Sequence, residues 1–180
     1  MNEYDEWDPF KSKWKAAFEK GMKVNVVHDE NILYLGASSG TTVGHLSGHT
    51  EGTIFAVEKS PEMSIPLVSL CETKPNIAPI FADAQNIDYL KTQLHDTKID
   101  ILFQDIPSLD QVKILETVSQ LVDKKCKIFL SLKTQSISQE SPEKTFEKAK
   151  KELEKTFKIL ESKDLEPFHK KHWFLIMQKK

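Results

Sequence analysis

The chain of 180 residues contains no arginine, so all 25 of its basic residues are lysine. Any phosphate it meets is therefore met by compact, hydrated ammonium groups, because the bidentate guanidinium fork is missing. Cysteine is nearly absent as well. Cys71 and Cys126 lie far apart without Cys-x-x-Cys spacing, which excludes a zinc ribbon or a dithiol redox motif and leaves both as packing residues. No apolar run approaches the roughly 18 residues of a membrane span. The opening "MNEYDEWDPF" lacks the basic start and apolar middle of a secretory leader, so an intracellular protein with no membrane partner is expected. A net charge of -2 excludes a global field that would draw the chain to nucleic acid. Glycine is scarce, with six residues, and no Gly/Ser linker, repeat or low-complexity stretch divides the chain.

What is present is one core's worth of sequence, since typical domains run about 100 to 200 residues. A chain of this size buries roughly 70% of its unfolded surface and needs neither disulfide nor structural metal. Apolar, β-rich runs appear at 32–35 ("ILYL"), 53–57 ("TIFAV"), 77–81 ("IAPIF"), 99–103 ("IDILF"), 126–132 ("CKIFLSL"), 156–160 ("TFKIL") and 173–177 ("WFLIM"). Segments with helical spacing separate most of them, and this alternation predicts an α/β fold with a mainly parallel sheet covered by helices. Residues 1–30 read as an N-terminal segment and helix packed on a catalytic domain of residues 31–180. The helix runs from Ser12 to Lys20 and stops at Gly21. In "SPEKTFEKAKKELEKTF" Ser141 caps a second helix, with Phe146, Ala149, Leu153 and Phe157 along one face. Its lysines, Lys144, Lys148, Lys151 and Lys155, read first as a solvated face paired with glutamate and second as an RNA-facing patch. His45 and His49 stand four apart on a helix, but nothing nearby completes a metal ligand set.

The first strand ends in "GASSGTTV", a glycine stretch that lets a ligand approach the main chain and opens a helix N-terminus. A Walker loop needs a lysine after its last glycine, and here Thr41 and Thr42 follow Gly40. The GxGxxG fingerprint is also missing, which penalises a nicotinamide dehydrogenase. The second strand ends at Glu58, placed for two ribose hydroxyls. The third leads to Asp83 and Ala84, placed for an adenine edge, and the fourth to Asp105. Each acidic residue alone reads as a cap or turn former. At successive strand ends around one cleft they point together to S-adenosyl-L-methionine as cofactor.

"LYLGASSGTTVGHLS", "FAVEKSPE" and "LEPFHKKHWFLIM" together resemble the fibrillarin family, in particular its archaeal form, from about Tyr4 to the C-terminus. The resemblance implies a class I S-adenosylmethionine-dependent methyltransferase: a Rossmann-like, seven-stranded sheet with its last strand antiparallel and helices on both faces. It implies 2'-O-methylation of rRNA and tRNA riboses directed by box C/D guide RNA. The implied protein partners are a Nop-domain scaffold protein and a kink-turn-binding subunit resembling a ribosomal protein. The implied setting is cytoplasmic for an archaeal chain and nucleolar for a eukaryotic one. The family's Lys-Asp-Lys-His set falls on Lys13, Asp105, Lys133 and His172, and its cofactor contacts on Gly36, Thr41, Thr42, Glu58, Lys59, Asp83, Ala84, Asp105 and Ser108.

Departures from the family pattern accompany the match. Lys59 stands where the family favours an aromatic residue near the adenine. Ser108 replaces a glutamine in "IPSLDQ", where Gln111 remains, and Lys171 replaces an acidic residue before His172. The small β-rich N-terminal domain of archaeal relatives and the Gly/Arg-rich tail of eukaryotic ones are expected to be missing. By the same resemblance Lys133 takes the proton of the ribose hydroxyl and Asp105 orients it, while Lys13 and His172 position the ribose and tune the lysine. A cofactor-binding assembly subunit without turnover, and a methyltransferase of a protein or small molecule, remain as alternatives.

Overall fold

The computed structural model describes residue 4 and residues 6–180. The opening residues read for a leader thus lie partly outside the described residues. Seven strands form one sheet: β1 (Ile32–Leu35), β2 (Ile54–Glu58), β3 (Ile77–Phe81), β4 (Ile101–Gln104), β5 (Lys127–Lys133), β6 (Phe157–Asp164) and β7 (His172–Lys179). Their order is β3-β2-β1-β4-β5-β7-β6. The pairs from β3 to β5 are parallel, and β7 runs antiparallel to both β5 and β6. All seven apolar runs are strands, with ends shifted by a few residues. The largest extension is β6, where a register shift between Ile159 and Glu161 turns Leu160 out to solvent.

The central strands β1 and β4 are buried on both sides because helices cover both faces, while the edge strands β3 and β6 are partly exposed. Along β1, Ile32 and Tyr34 belong to one core cluster and Leu33 and Leu35 to the other. The first cluster takes in α1 (Lys13–Glu19), α2 (Thr41–Leu46) and α3 (Pro61–Thr73); the second takes in α4 (Ile87–Leu94), α5 (Gln111–Val118) and α6 (Pro142–Thr156). Successive strands from β1 to β3 step to one side and β4 starts the other side, so a crevice opens where the order reverses.

The N-terminal segment packs on the first face. Tyr4, Trp7, Met22, Val24 and Val26 are buried with the sheet residues Ile32 and Phe103. Trp14 is fully buried edge-on to Phe103 and Phe129 at centroid distances of 5.4 and 5.1 Å. Ser12 caps α1 by accepting from the Lys15 N–H, and Gly21, at φ +76°, ends it. The Met22 N–H then reaches Ala17 O and the Gly21 N–H reaches Phe18 O, a Schellman closure. His45 stacks on Trp7 at 4.8 Å and His49 lies edge-on to it at 5.3 Å, so both histidines contribute rings to this packing.

Ser141 caps α6 by accepting from the Lys144 N–H, and Phe146, Ala149 and Leu153 are buried along it. Phe157 departs from the expected helical face. The backbone turns extended there, at φ -118° and ψ 152°, and Phe157 opens β6 as a buried strand residue. No glycine or proline separates helix from strand, so spacing alone carried the helix one residue too far. On the outer face Lys148 pairs with Glu140 at 2.6 Å and Lys155 with Glu152 at 2.5 Å.

Candidate active site

A cavity of about 330 Å³ lies across the carboxyl ends of the first four strands. It is lined by Gly36 and Ser38 after β1, Glu58 and Lys59 at the end of β2, Asp83 and Ala84 after β3, and Asp105 to Ser108 after β4. Gly36 is there for a reason the sequence did not suggest. Its φ is +85°, and a Cβ added to it would lie 2.5 Å from the Asp105 carbonyl oxygen. The space left by the missing side chain is therefore taken by the neighbouring chain turn rather than held open for a ligand. Gly40 likewise has φ +86°, and a Cβ there would meet Leu70 of α3 at 2.6 Å, so it permits close helix packing.

Glu58 is held rigidly. One carboxylate oxygen accepts from the Ser38 N–H and the other from the Ser60 N–H, both at 2.7 Å. An ionised carboxylate has about four acceptor sites, so two remain for a pair of hydroxyls. Asp83 accepts from the Gln85 N–H at 2.9 Å and meets the Lys59 ammonium at 3.5 Å. That N–H bond, and secondarily Lys59, holds its carboxyl below the usual carboxylate range. The donor and acceptor set fits a ribose and a nucleobase edge, with the exposed Lys59 also on the cavity wall.

Thr41 and Thr42 do not line this cavity. Thr41 is exposed at the start of α2. Thr42 is buried, and its hydroxyl donates to the Ser12 hydroxyl at 3.1 Å. The nearby Tyr34 phenol has its proton affinity driven well up by burial first and then by Asp105, with Thr42 opposing. The Thr42–Ser12 bond fastens the start of α1 to α2, one residue before Lys13.

Lys13 thereby reaches the cavity wall: its ammonium is 2.9 Å from Asp105 Oδ2, with both side chains largely buried. Lys133, the last residue of β5, is the direct register partner of His172, the first of β7. The Lys171 carbonyl accepts from both the main-chain N–H and the hydroxyl of Thr134, each at 3.0 Å, and binds these two strand ends together. The turn carrying His172 runs from Leu165 through a cis Glu166–Pro167 bond. His172 Nδ1 lies 2.8 Å from Lys170 O; a carbonyl only accepts, so Nδ1 carries the proton and Nε2 is the free nitrogen. Burial chiefly lowers the pKa of His172, with Lys13 and Lys133 adding to the effect and Asp105 and the Lys170 carbonyl opposing it. Lys13, Asp105, Lys133 and His172 thus share one electrostatic neighbourhood.

Two further residues belong to it. His169 stands edge-on to His172 at 5.8 Å, with its Nε2 buried and without a hydrogen-bond partner among the described residues. Its pKa is lowered by burial first, then by Lys13 and His172. Gln111 is fully buried and bonded to the main chain of Lys133 on both sides. Spacing offered one usable sign for His169, in the "HKKH" repeat of ring residues. For Gln111 there was none beyond its survival in a segment that otherwise departs from the family.

This strand order with one reversed strand, and a cavity at the switch point lined by strand-end carboxylates, define the class I S-adenosylmethionine-dependent methyltransferase fold. Within that class the chain belongs to the fibrillarin family, whose model matches residues 1–180. The fibrillarin-like rRNA/tRNA 2'-O-methyltransferase of Archaeoglobus fulgidus is 37% identical over 175 residues, spanning 96% of this chain and 82% of that one. A solved fibrillarin/Nop5p complex superposes with a TM-score of 0.89 at 32% identity, covering 97% of this chain and 84% of that one. Aeropyrum pernix fibrillarin, with natively bound S-adenosyl-L-methionine, gives 0.82 at 26% identity over 95% and 76% of the two chains. Among the described residues no helix is long and apolar enough to cross a membrane.

Proposed function

We propose that this protein transfers a methyl group from S-adenosyl-L-methionine to the ribose 2'-hydroxyl of rRNA and tRNA, guided by box C/D RNA in the cytoplasm. The Lys13–Asp105 pair carries this reading, since Asp105 lines the nucleoside-sized cavity and also opens the polar cluster beyond it. Glu58 would hold the cofactor's ribose and Asp83 its adenine edge. Gly36, Lys59, Ala84 and Ser108 would pack against it. Thr41 and Thr42 would act behind this surface through the start of α2. The cofactor supplies an electrophilic methyl group on a sulfonium that needs no metal.

Lys133 would accept the hydroxyl proton as the oxygen attacks, Asp105 would align that oxygen, and Lys13 and His172 would seat the ribose. Alignment is the larger demand: near-attack positioning is worth about 7–11 kcal/mol, while general-base assistance adds about 10²–10⁴ in rate. A free lysine has a pKa near 10.4, so base action near neutrality needs help from nearby cations.

With a net charge of -2, the chain itself has little hold on RNA. A Nop-domain scaffold, as in the solved fibrillarin/Nop5p complex, and a kink-turn-binding subunit would bring guide and target over the cavity. The test is radiolabelled methyl transfer in a particle assembled from guide RNA, target and both partners. Lys133→Ala should lower the rate by about 10²–10⁴ with cofactor affinity nearly unchanged; parent-level transfer would defeat the assignment of the base. Tight, salt-resistant RNA binding by the isolated chain would count against the dependence on partners.

The Lys59–Asp83 ion pair on the cavity wall favours a second reading, a cofactor-binding assembly subunit without turnover. Calorimetry with S-adenosyl-L-methionine followed by the same transfer assay separates the two, because only the first reading expects product.

A further inference from the structure

We infer that Gln111 is a positioning residue that sets the reach of Lys133 from β5. The inference rests on the reading of Lys133 as the base. Gln111 opens α5 and is fully buried. Its side-chain amide brackets the Lys133 peptide units: Oε1 accepts from the Lys133 N–H at 2.9 Å, and Nε2 donates to the Lys133 carbonyl at 3.0 Å. The second Nε2 proton goes to the Ser108 carbonyl at 2.8 Å, on the cavity wall. The Gln111 carbonyl in turn accepts from Gln104 Nε2 at 2.8 Å. Gln104 is fully buried and directly precedes Asp105.

One amide thus ties three pieces that the sheet alone leaves independent. β4 and β5 pair only as far as Gln104 opposite Leu130, so the ladder between them stops before Lys133. Past that point no parallel-strand hydrogen bond sets the distance between the Asp105 end and the Lys133 end. The Gln104–Gln111–Lys133 chain spans that gap. Gln104 keeps one buried oxygen without a partner, so a buried amide is tolerated there although only its NH₂ end is satisfied. A bidentate clamp on main-chain atoms does not touch the lysine ammonium; it fixes the backbone from which that side chain projects.

The test uses the assembled guide particle, with Gln111→Met as the isosteric variant lacking the clamp and Gln111→Asn as the shortened amide. Single-turnover methyl transfer should fall roughly 10- to 100-fold for each, as expected of a displacement of about 1 Å at a reacting group. The dissociation constant for S-adenosyl-L-methionine, measured on the same proteins, should move by less than about 5-fold. Because Gln111 acts through Lys133, Gln111→Met placed in a Lys133→Ala chain should reduce the residual transfer by less than about 3-fold. Parent-level transfer by Gln111→Met, or an undiminished further loss in the Lys133→Ala background, would overturn the inference. So would failure of both variants to fold, which would make the clamp a folding element. Parent-level transfer by Lys133→Ala would instead remove the base assignment, and the inference with it.

Discussion

The Lys13 ammonium lies 2.9 Å from Asp105 Oδ2, joining the N-terminal helix to the end of the fourth strand. Nothing local in either segment requires this contact. Trp14 is buried edge-on to Phe103 and Phe129, and the Thr42–Ser12 hydroxyl bond holds the helix start, so Lys13 is left facing the strand ends. Asp105→Asn keeps the shape and removes the charge. It should lower methyl transfer by at least about 10²-fold, with a melting temperature close to the parent's, in the assembled-particle assay.

Glu58 accepts two main-chain N–H bonds and keeps acceptor capacity towards the cavity. Glu58→Gln replaces one acceptor oxygen with a donor that faces another donor. Cofactor affinity should fall about 10-fold or more, equivalent to about 1.4 kcal/mol, in calorimetry. Unchanged affinity would move the ribose site elsewhere.

Lys59 reaches Asp83 at 3.5 Å from a position where the family favours an aromatic ring. Both groups are well exposed, so the ion pair itself contributes little. Lys59→Phe should free Asp83 and offer a stacking face, tightening S-adenosyl-L-methionine binding by roughly 3- to 10-fold. Weaker binding would show that the ammonium contacts the cofactor directly.

Burial lowers the pKa of both His169 and His172 in the folded chain. The unfolded chain takes up protons near the ordinary value of about 6.5 while the folded one does not, so stability is fully present above that value. It is lost progressively as pH falls through the depressed folded values. The melting temperature should therefore drop between about pH 7 and about pH 5, and His169→Asn with His172→Asn should flatten the slope. An equal slope in that double variant would assign the acid sensitivity to other groups.

At Gly36 a methyl group would lie 2.5 Å from the Asp105 carbonyl, on backbone at φ +85°. Overpacking costs about 1–3 kcal/mol and the left-handed conformation about 1–2 kcal/mol more. Gly36→Ala should accordingly lose about 2–5 kcal/mol in denaturant unfolding. Its cofactor affinity should fall as well, because the added methyl group meets Asp105 and Ile106, which both line the cavity.

The order of strands and helices was legible from sequence because it rests on near-neighbour patterning: the short unbroken apolar run Ile32–Leu35 and the spaced Phe146, Ala149 and Leu153 each report a burial pattern that local geometry sets. Strand-end residues such as Glu58 were legible for the same reason, since a strand's carboxyl end is where a parallel sheet opens to ligand. What each glycine spares, why Thr42 turns inward to Ser12, and which amide holds Lys133 were decided by tertiary structure alone. These depend on contacts between segments far apart in the chain, whose distances follow from packing of the whole sheet and its covering helices. Residue spacing along one segment carries no measure of them.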